Sequence, residues 1–111
     1  MKQLHLGEFE ELVLLAVCGL DEGAYAVPIQ QRIETRTGRR ATMGAVYAAL
    51  DRLEQKGFLT SHLGTVTRQR GGKRKRFYEI TGTGHAAVSA MRRSRERMWE
   101  GIEWKPSLGL E

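Results

Sequence analysis

A mainly helical domain with one small β-ribbon is predicted by three observations. Apolar residues recur at helical spacing in three short segments before residue 57, the period then becomes strand-like, and a last helical segment follows. A glycine-bearing run of cations separates the two strand-like segments. With 111 residues the chain is bounded to about one domain and one modest core, and 41% hydrophobic content with 13 Gly and 2 Pro fits a packed chain better than a disordered one.

From Glu8 to Leu20 the residues Phe9, Leu12, Val13, Ala16, Val17 and Leu20 follow helical spacing, and Leu14, Leu15 and Cys18 widen their face. This predicts a largely buried first helix, with Cys18 as a small buried hydrophobe. Glu8, Glu10 and Glu11 fall near its start, where carboxylates suit the positive end of the helix dipole. Asp21-Glu22-Gly23 breaks the pattern. A second helix is expected over Val27–Thr37, with Pro28 in its first turn, Ile29 and Ile33 facing inward and Gly38 beyond its end. After the basic turn Gly38-Arg39-Arg40, Thr42 is a suitable N-cap for a third helix whose core stripe is Val46, Leu50 and Leu53 and whose stop is Gly57.

Leu59–Thr67 and Arg76–Thr81 read as two extended segments paired antiparallel. The linking tip holds Arg68, Arg70, Gly71, Gly72, Lys73, Arg74 and Lys75, which makes the ribbon a basic wing. Thr81 can cap a fourth helix running from Gly82 toward Gly101, with Ala87, Met91, Met98 and Ile102 on one side. This order predicts a winged helix-turn-helix: residues 1–81 form that domain with its N-terminal helix, 82–104 a C-terminal dimerisation helix, and 105–111 a flexible tail. The late helix has little domain left to cover, so its apolar side, with the stripe Phe9, Leu12 and Ala16, is expected to meet a second copy.

Charge indicates the partner. Residues 36–76 carry eleven Lys and Arg against two Asp and Glu, whereas residues 1–35 carry two against six. Such a block is a directional field that suits a polyanion. In a helix-turn-helix the second helix enters the major groove, which places Thr42, Met43, Gly44, Tyr47, Ala48 and Arg52 at the groove with Arg39 and Arg40 beside its N-terminus. Gly44 and Ala48 allow close approach, and Arg52 can reach phosphate. Tyr47 and Met43 carry a second reading, as side chains at the edge of the core. A cation run is ordinarily a solvated face; six basic residues within Arg68–Arg76, tethered between two strands, suit double-stranded DNA better. The rival readings are an acidic protein partner for the wing and an RNA, the latter disfavoured because Phe77 and Tyr78 point to opposite sides of a strand.

Other classes find little footing. His5, His62 and His85 occur singly without metal-ligand spacing, and Gly71-Gly72-Lys73 lacks the phosphate-loop pattern. The carboxylates read mostly as helix-surface groups. No nucleophile, base and orienting group stand together, so neither an enzyme nor a cofactor is expected. One cysteine cannot make an internal bridge, the apolar run Leu12–Leu20 is about half a bilayer span, and the start lacks the pattern of a secretory signal, which together predict a cytoplasmic protein without a membrane partner.

The segments Leu6-Gly7-Glu8-Phe9-Glu10, Ala24-Tyr25-Ala26-Val27-Pro28-Ile29, Gly44 through Gly57, Arg70 through Thr81, and Gly84, taken in order, resemble the PadR-like transcriptional regulators, in particular their short single-domain branch. The resemblance implies a homodimeric, repressor-like protein on an inverted repeat, with Tyr47 and the Gly71-Gly72 wing at the operator. It also implies dimerisation through the last helix together with the first. Ala26 stands where the family often has Gly, and the short C-terminus excludes the multi-helix dimerisation domain of larger relatives. Some members hold flat aromatic effectors at the dimer centre. Trp99 and Trp104 raise that use here, against the plainer role of packing at the interface.

Overall fold

The computed structural model describes residues 6–65 and 74–103. In chain order it contains α1 (Glu8–Leu20), a 3-10 turn (Asp21–Gly23), α2 (Ala26–Thr37), α3 (Met43–Gln55), β1 (Leu59–Leu63), β2 (Arg76–Ile80) and α4 (Gly82–Trp99). The two strands pair antiparallel, Leu59 opposite Ile80 and Leu63 opposite Arg76. This is the predicted mainly helical fold with a small ribbon.

The caps explain where the helices start and stop. Thr42 Oγ1 accepts a hydrogen bond from Ala45 N–H at 3.1 Å and Thr81 Oγ1 accepts one from Gly84 N–H at 3.0 Å, satisfying donors that the first turns of α3 and α4 leave unpaired. Gly38 and Gly57 take positive φ, 72° and 82°, just past α2 and α3. Helix α2 begins one residue earlier than its pattern predicts, at Ala26. Pro28 is still within the first turn, where its missing N–H costs nothing.

One core joins the elements. Val13, Leu14 and Val17 of α1, Ile29 and Ile33 of α2, Val46, Ala49, Leu50 and Leu53 of α3, and Phe58 and Leu59 at the start of the ribbon are all buried. The Tyr78 N–H donates to the Ala24 carbonyl at 2.9 Å, so β2 is also tied to the connection between α1 and α2. Thr81 fastens the ribbon to the start of α4, its Oγ1 donating to the Gly57 carbonyl at 2.7 Å and its N–H to the Phe58 carbonyl at 3.0 Å. Gly84 lets α4 come this close, because a Cβ there would collide with the Phe58 carbonyl.

Several expectations are corrected. Leu15 and Cys18 are exposed: α1 packs on α2, α3, β2 and α4, and these two residues lie on the strip left open along its groove with α4. Desolvation still pushes the Cys18 thiol above its ordinary pKa, which disfavours the reactive thiolate. Ala16 is buried in the molecule's own core, which removes it from any surface shared with a second copy. The outer face of α1 is thus narrower than the stripe Phe9, Leu12 and Ala16, and Phe9 and Leu12 are themselves partly packed on the core. Glu10 and Glu11 are buried rather than surface groups. The first strand ends at Leu63, so Gly64 and Thr65 of the expected segment fall outside it, and Val66 and Thr67 lie outside the described residues.

Candidate nucleic-acid interface

Helix α3 has two chemically distinct sides. Val46, Ala49, Leu50 and Leu53 anchor it in the core, and the opposite side presents Gly44, Tyr47, Ala48 and Asp51 to solvent. Tyr47 is 54% exposed, which rules out its reading as a side chain tucked into the core edge. Met43 is partly buried against the core, so its second reading holds.

The turn between α2 and α3 is braced from both sides. Gln30 Nε2 donates to the Ala41 carbonyl at 2.6 Å, and the Ala41 N–H donates to Glu34 Oε2 at 2.8 Å. These bonds satisfy both backbone groups of Ala41, itself buried, and fix the angle between the helices. Arg39 and Arg40 follow α2 and are exposed. Arg39 Nη1 lies 3.3 Å from Glu8 Oε2, and its guanidinium is 5.9 Å from the centre of the Phe9 ring, so Arg39 also latches the turn to the start of α1.

On the flank of α3, Arg52 Nε donates to Glu10 Oε2 at 2.7 Å and Lys56 Nζ donates to Glu10 Oε1 at 2.7 Å. The Gly7 N–H adds a third bond to the same carboxylate at 3.1 Å. Glu10 is only 6% exposed; its burial favours protonation, but the bonds from Lys56, Arg52 and Gly7 outweigh this and bring its pKa from 4.5 down to about 2. The other flank meets the ribbon, where Ser61 Oγ donates to Glu54 Oε2 at 2.7 Å and accepts from Arg76 Nη1 at 3.0 Å.

Of the wing, Arg74 and Lys75 are described and exposed, whereas Arg68, Arg70, Gly71, Gly72 and Lys73 lie outside the described residues. Lys75 Nζ stands 5.0 Å from the centre of the Tyr25 ring, which in turn meets Phe77 edge-on at 5.3 Å between centroids. The base of the wing is thereby built on an aromatic cluster that His62 extends by stacking on Phe77.

Beyond the core, α4 presents a second apolar surface. Its residues Gly84, Val88, Met91, Arg95 and Met98, with Ile102 past its end, recur at alternating spacings of four and three. Gly84 and Val88 are buried and Met91 packs on the core, but Met98, Trp99 and Ile102 are 76%, 60% and 57% exposed. Met91, Met98, Trp99 and Ile102 line a shallow groove of about 300 Å³, and Trp99 also closes a neighbouring groove of about 510 Å³ between α1 and α4. Arg95 crosses to Glu11 of α1, Nη2 to Oε1 at 2.6 Å. Trp104 lies outside the described residues. No group of three or more His, Cys, Asp or Glu able to hold a metal occurs among the described residues, and no helix there is long and apolar enough to cross a membrane.

The description "Transcriptional regulator PadR-like family" matches residues 14–90, from the middle of α1 through the ribbon to the first half of α4. The chain belongs to the PadR-like family. Solved structures agree on its fold. It is similar to a PadR family transcription regulator from Clostridium difficile R20291, with 21% identity, a TM-score of 0.70 and coverage of 83% of this chain and 91% of that one. A PadR-like transcription factor from Bacteroides fragilis gives 23% identity and a TM-score of 0.68 over 83% and 84% of the two chains. For a PadR family regulator from Eggerthella lenta DSM 2243 the values are 23% and 0.64, over 85% and 81%. A comparison with curated proteins finds no match.

What sequence reasoning missed in this PadR-like chain is the pair of neighbouring carboxylates on α1. Glu10 reaches forward to α3 and Glu11 to α4, so consecutive residues tie the first helix to both. A signal was present in Arg52 and Lys56, two cations four apart that share one side of α3, but their acceptor is 42 and 46 residues away.

Proposed function

We propose that the chain is a sequence-specific DNA-binding transcriptional regulator, acting as a homodimeric repressor on an inverted-repeat operator. The observation that carries this reading is the open side of α3. A glycine, an alanine and a half-exposed tyrosine stand outward on a helix whose other side is locked into the core, at the centre of the chain's most basic segment. Small residues let a helix descend into the major groove, and Tyr47 offers ring and hydroxyl at base-edge height. Arg39 and Arg40 at the N-terminal end, with Arg74 and Lys75 at the base of the wing, supply phosphate contacts. Arg68, Arg70 and Lys73 around Gly71-Gly72 extend them toward the minor groove.

Dimerisation is assigned to residues 82–104, with residues 1–81 as the DNA-binding part. The alternation of four and three along α4 is a coiled-coil period, and the half of it beyond the core is the exposed half. Trp99 belongs to that seam as packing; a flat aromatic effector between two copies is the outcome to look for when fluorescence of the dimer is titrated with an aromatic panel. We read the protein as cytoplasmic, a location that membership in a family of transcriptional regulators supports.

Selection of bound sequences from random duplexes at physiological salt tests the reading. An enriched inverted repeat is expected, with affinity falling steeply as salt rises, by about −0.9 in log-log slope for each phosphate neutralised. Recovery of no enriched sequence, or a flat salt response, sinks it and favours an acidic protein as partner of the wing.

A further inference from the structure

We propose that Glu10, which lies outside the DNA-facing surface, is a positioning residue for DNA binding: it holds Arg52 by Nε so that the terminal guanidinium nitrogens are presented to a phosphate. The proposal rests on the reading of α3 as the recognition helix and adds a role for a buried group that this reading leaves unused.

The chemistry of the contact is specific. An arginine offers donors in a fixed planar fork, and a partner that takes Nε fixes the plane of the whole guanidinium. Here the partner is a carboxylate nearly sealed from water, itself fixed by the Gly7 N–H and by Lys56. Among the described residues, the terminal nitrogens of Arg52 make no hydrogen bond, and 52% of its side chain is exposed. Arg52 therefore stands as a half-open side chain with one end clamped. It sits ten residues after the N-cap Thr42, about 15 Å along the helix, on the flank toward α1. That places it apart from Arg39 and Arg40, which precede α3 at its other end. A flanking cation is suited to the phosphate backbone, and base edges fall to the open side at Gly44, Tyr47 and Ala48. Orienting the fork in advance reduces the side-chain entropy lost on binding.

Two effects of removing the Glu10 charge oppose each other, which makes the sign of the result informative. Glu10→Gln raises the net charge by one beside a polyanion-binding surface, and on charge alone it should tighten binding to every duplex. Loss of positioning weakens it. The experiment titrates a fluorescent duplex, chosen by selection with the wild-type chain, against wild type, Glu10→Gln, Arg52→Ala, Arg52→Lys and the double variant Glu10→Gln/Arg52→Ala. Salt is varied, at a temperature where circular dichroism shows each chain folded.

Arg52→Ala is expected to weaken binding about tenfold and to reduce the salt slope by about 0.9, one phosphate contact. Arg52→Lys should weaken binding less than Arg52→Ala and keep most of the salt slope, because an ammonium retains the charge but has no planar fork for Glu10 to orient. Glu10→Gln should weaken binding several-fold with the same loss of slope, and should add nothing once Arg52 is Ala. Tighter binding by Glu10→Gln, or an equal loss in the Arg52→Ala background, overturns the proposal. So does Arg52→Lys binding as wild type, a result that needs no Glu10 variant to fold. These outcomes all require a wild-type chain that binds its selected duplex; a wild type without any preferred duplex refutes the recognition reading first.

Discussion

Helix α3 and the outer half of α4 both turn a row of side chains to solvent, and the two rows have nothing else in common. On α3 the exposed residues opposite the core are Gly44, Tyr47, Ala48 and Asp51, small or polar, and cations stand around them. On α4 they are Met98 and Trp99, with Ile102 just beyond, and they continue the stripe on which Met91 packs against the core about two turns earlier and Val88 is buried about three turns earlier. The first row sits on a helix whose packing is complete within one copy. The second belongs to a helix that outruns its own core, leaving apolar groups without cover. The contrast teaches that exposure is informative only with its chemistry: the wettable row over a rigid support suits the reading surface proposed above, and the apolar row on a projecting helix suits the proposed contact with a second copy.

The largest effects should separate the two regions by stability. Leu53 is fully buried under α3, so Leu53→Ala should cost about 2–5 kcal/mol of folding free energy, read by denaturant unfolding, and should abolish DNA binding with the fold. A loss below about 1 kcal/mol would show that α3 is not held as rigidly as the comparison requires. Acid should loosen the same region through Glu10. Its folded pKa, about 2, lies below its usual 4.5, so its contribution is fully present above about pH 5 and is lost as pH falls toward 2. Up to about 3 kcal/mol should disappear over that window, and Glu10→Gln should flatten the profile. An unchanged pH profile in the variant would remove Glu10 as the tie between α1 and α3.

The seam should respond in the opposite manner. Met98→Glu with Ile102→Glu is expected to weaken self-association by about 2 kcal/mol or more, seen by sedimentation, while unfolding of the monomer shifts by less than about 0.5 kcal/mol because both side chains are exposed. Unaltered self-association would place the interface elsewhere. The smallest effect belongs to the reading surface. Tyr47→Ala should reduce affinity for the selected duplex by about 1–2 kcal/mol and for random DNA by much less, whereas Lys75→Ala should weaken both about equally. Equal losses for Tyr47→Ala on both duplexes would assign the tyrosine to the backbone.

What could be read in the sequence was whatever depends on local spacing. The caps Thr42 and Thr81, the stops Gly38 and Gly57 and the stripe Val46, Leu50 and Leu53 are all signals within a few residues, and each stands where its pattern put it. The exposed face of α3 followed, because a helix with one buried stripe has its opposite side defined. Misreadings arose where a neighbour distant in sequence decides. Cys18 and Leu15 lie on a helix too apolar for its pattern to say which side is covered, and Ala16 could be assigned to the core only with α2 and α3 in place. Glu10 and Glu11 look like ordinary first-turn acids, and only the arrival of Arg52, Lys56 and Arg95 makes them buried ties. The side of α4 marked by Ala87, Met91, Met98 and Ile102 omits Val88, its buried apolar residue, because spacing alone does not tell which turn of α4 meets the core.

The comparison is tested most directly by measuring affinity for the complete inverted repeat and for a single half-site, with the wild-type chain and with Met98→Glu/Ile102→Glu. If α3 reads and α4 joins, wild type should prefer the complete site by at least about a hundredfold, with half-site centres about one helical turn apart, 34–36 Å. The variant should bind both sites alike, at the wild-type half-site affinity. A wild type indifferent to the second half-site, or a variant that keeps the full preference as a folded monomer, would contradict the division of labour between the two helices.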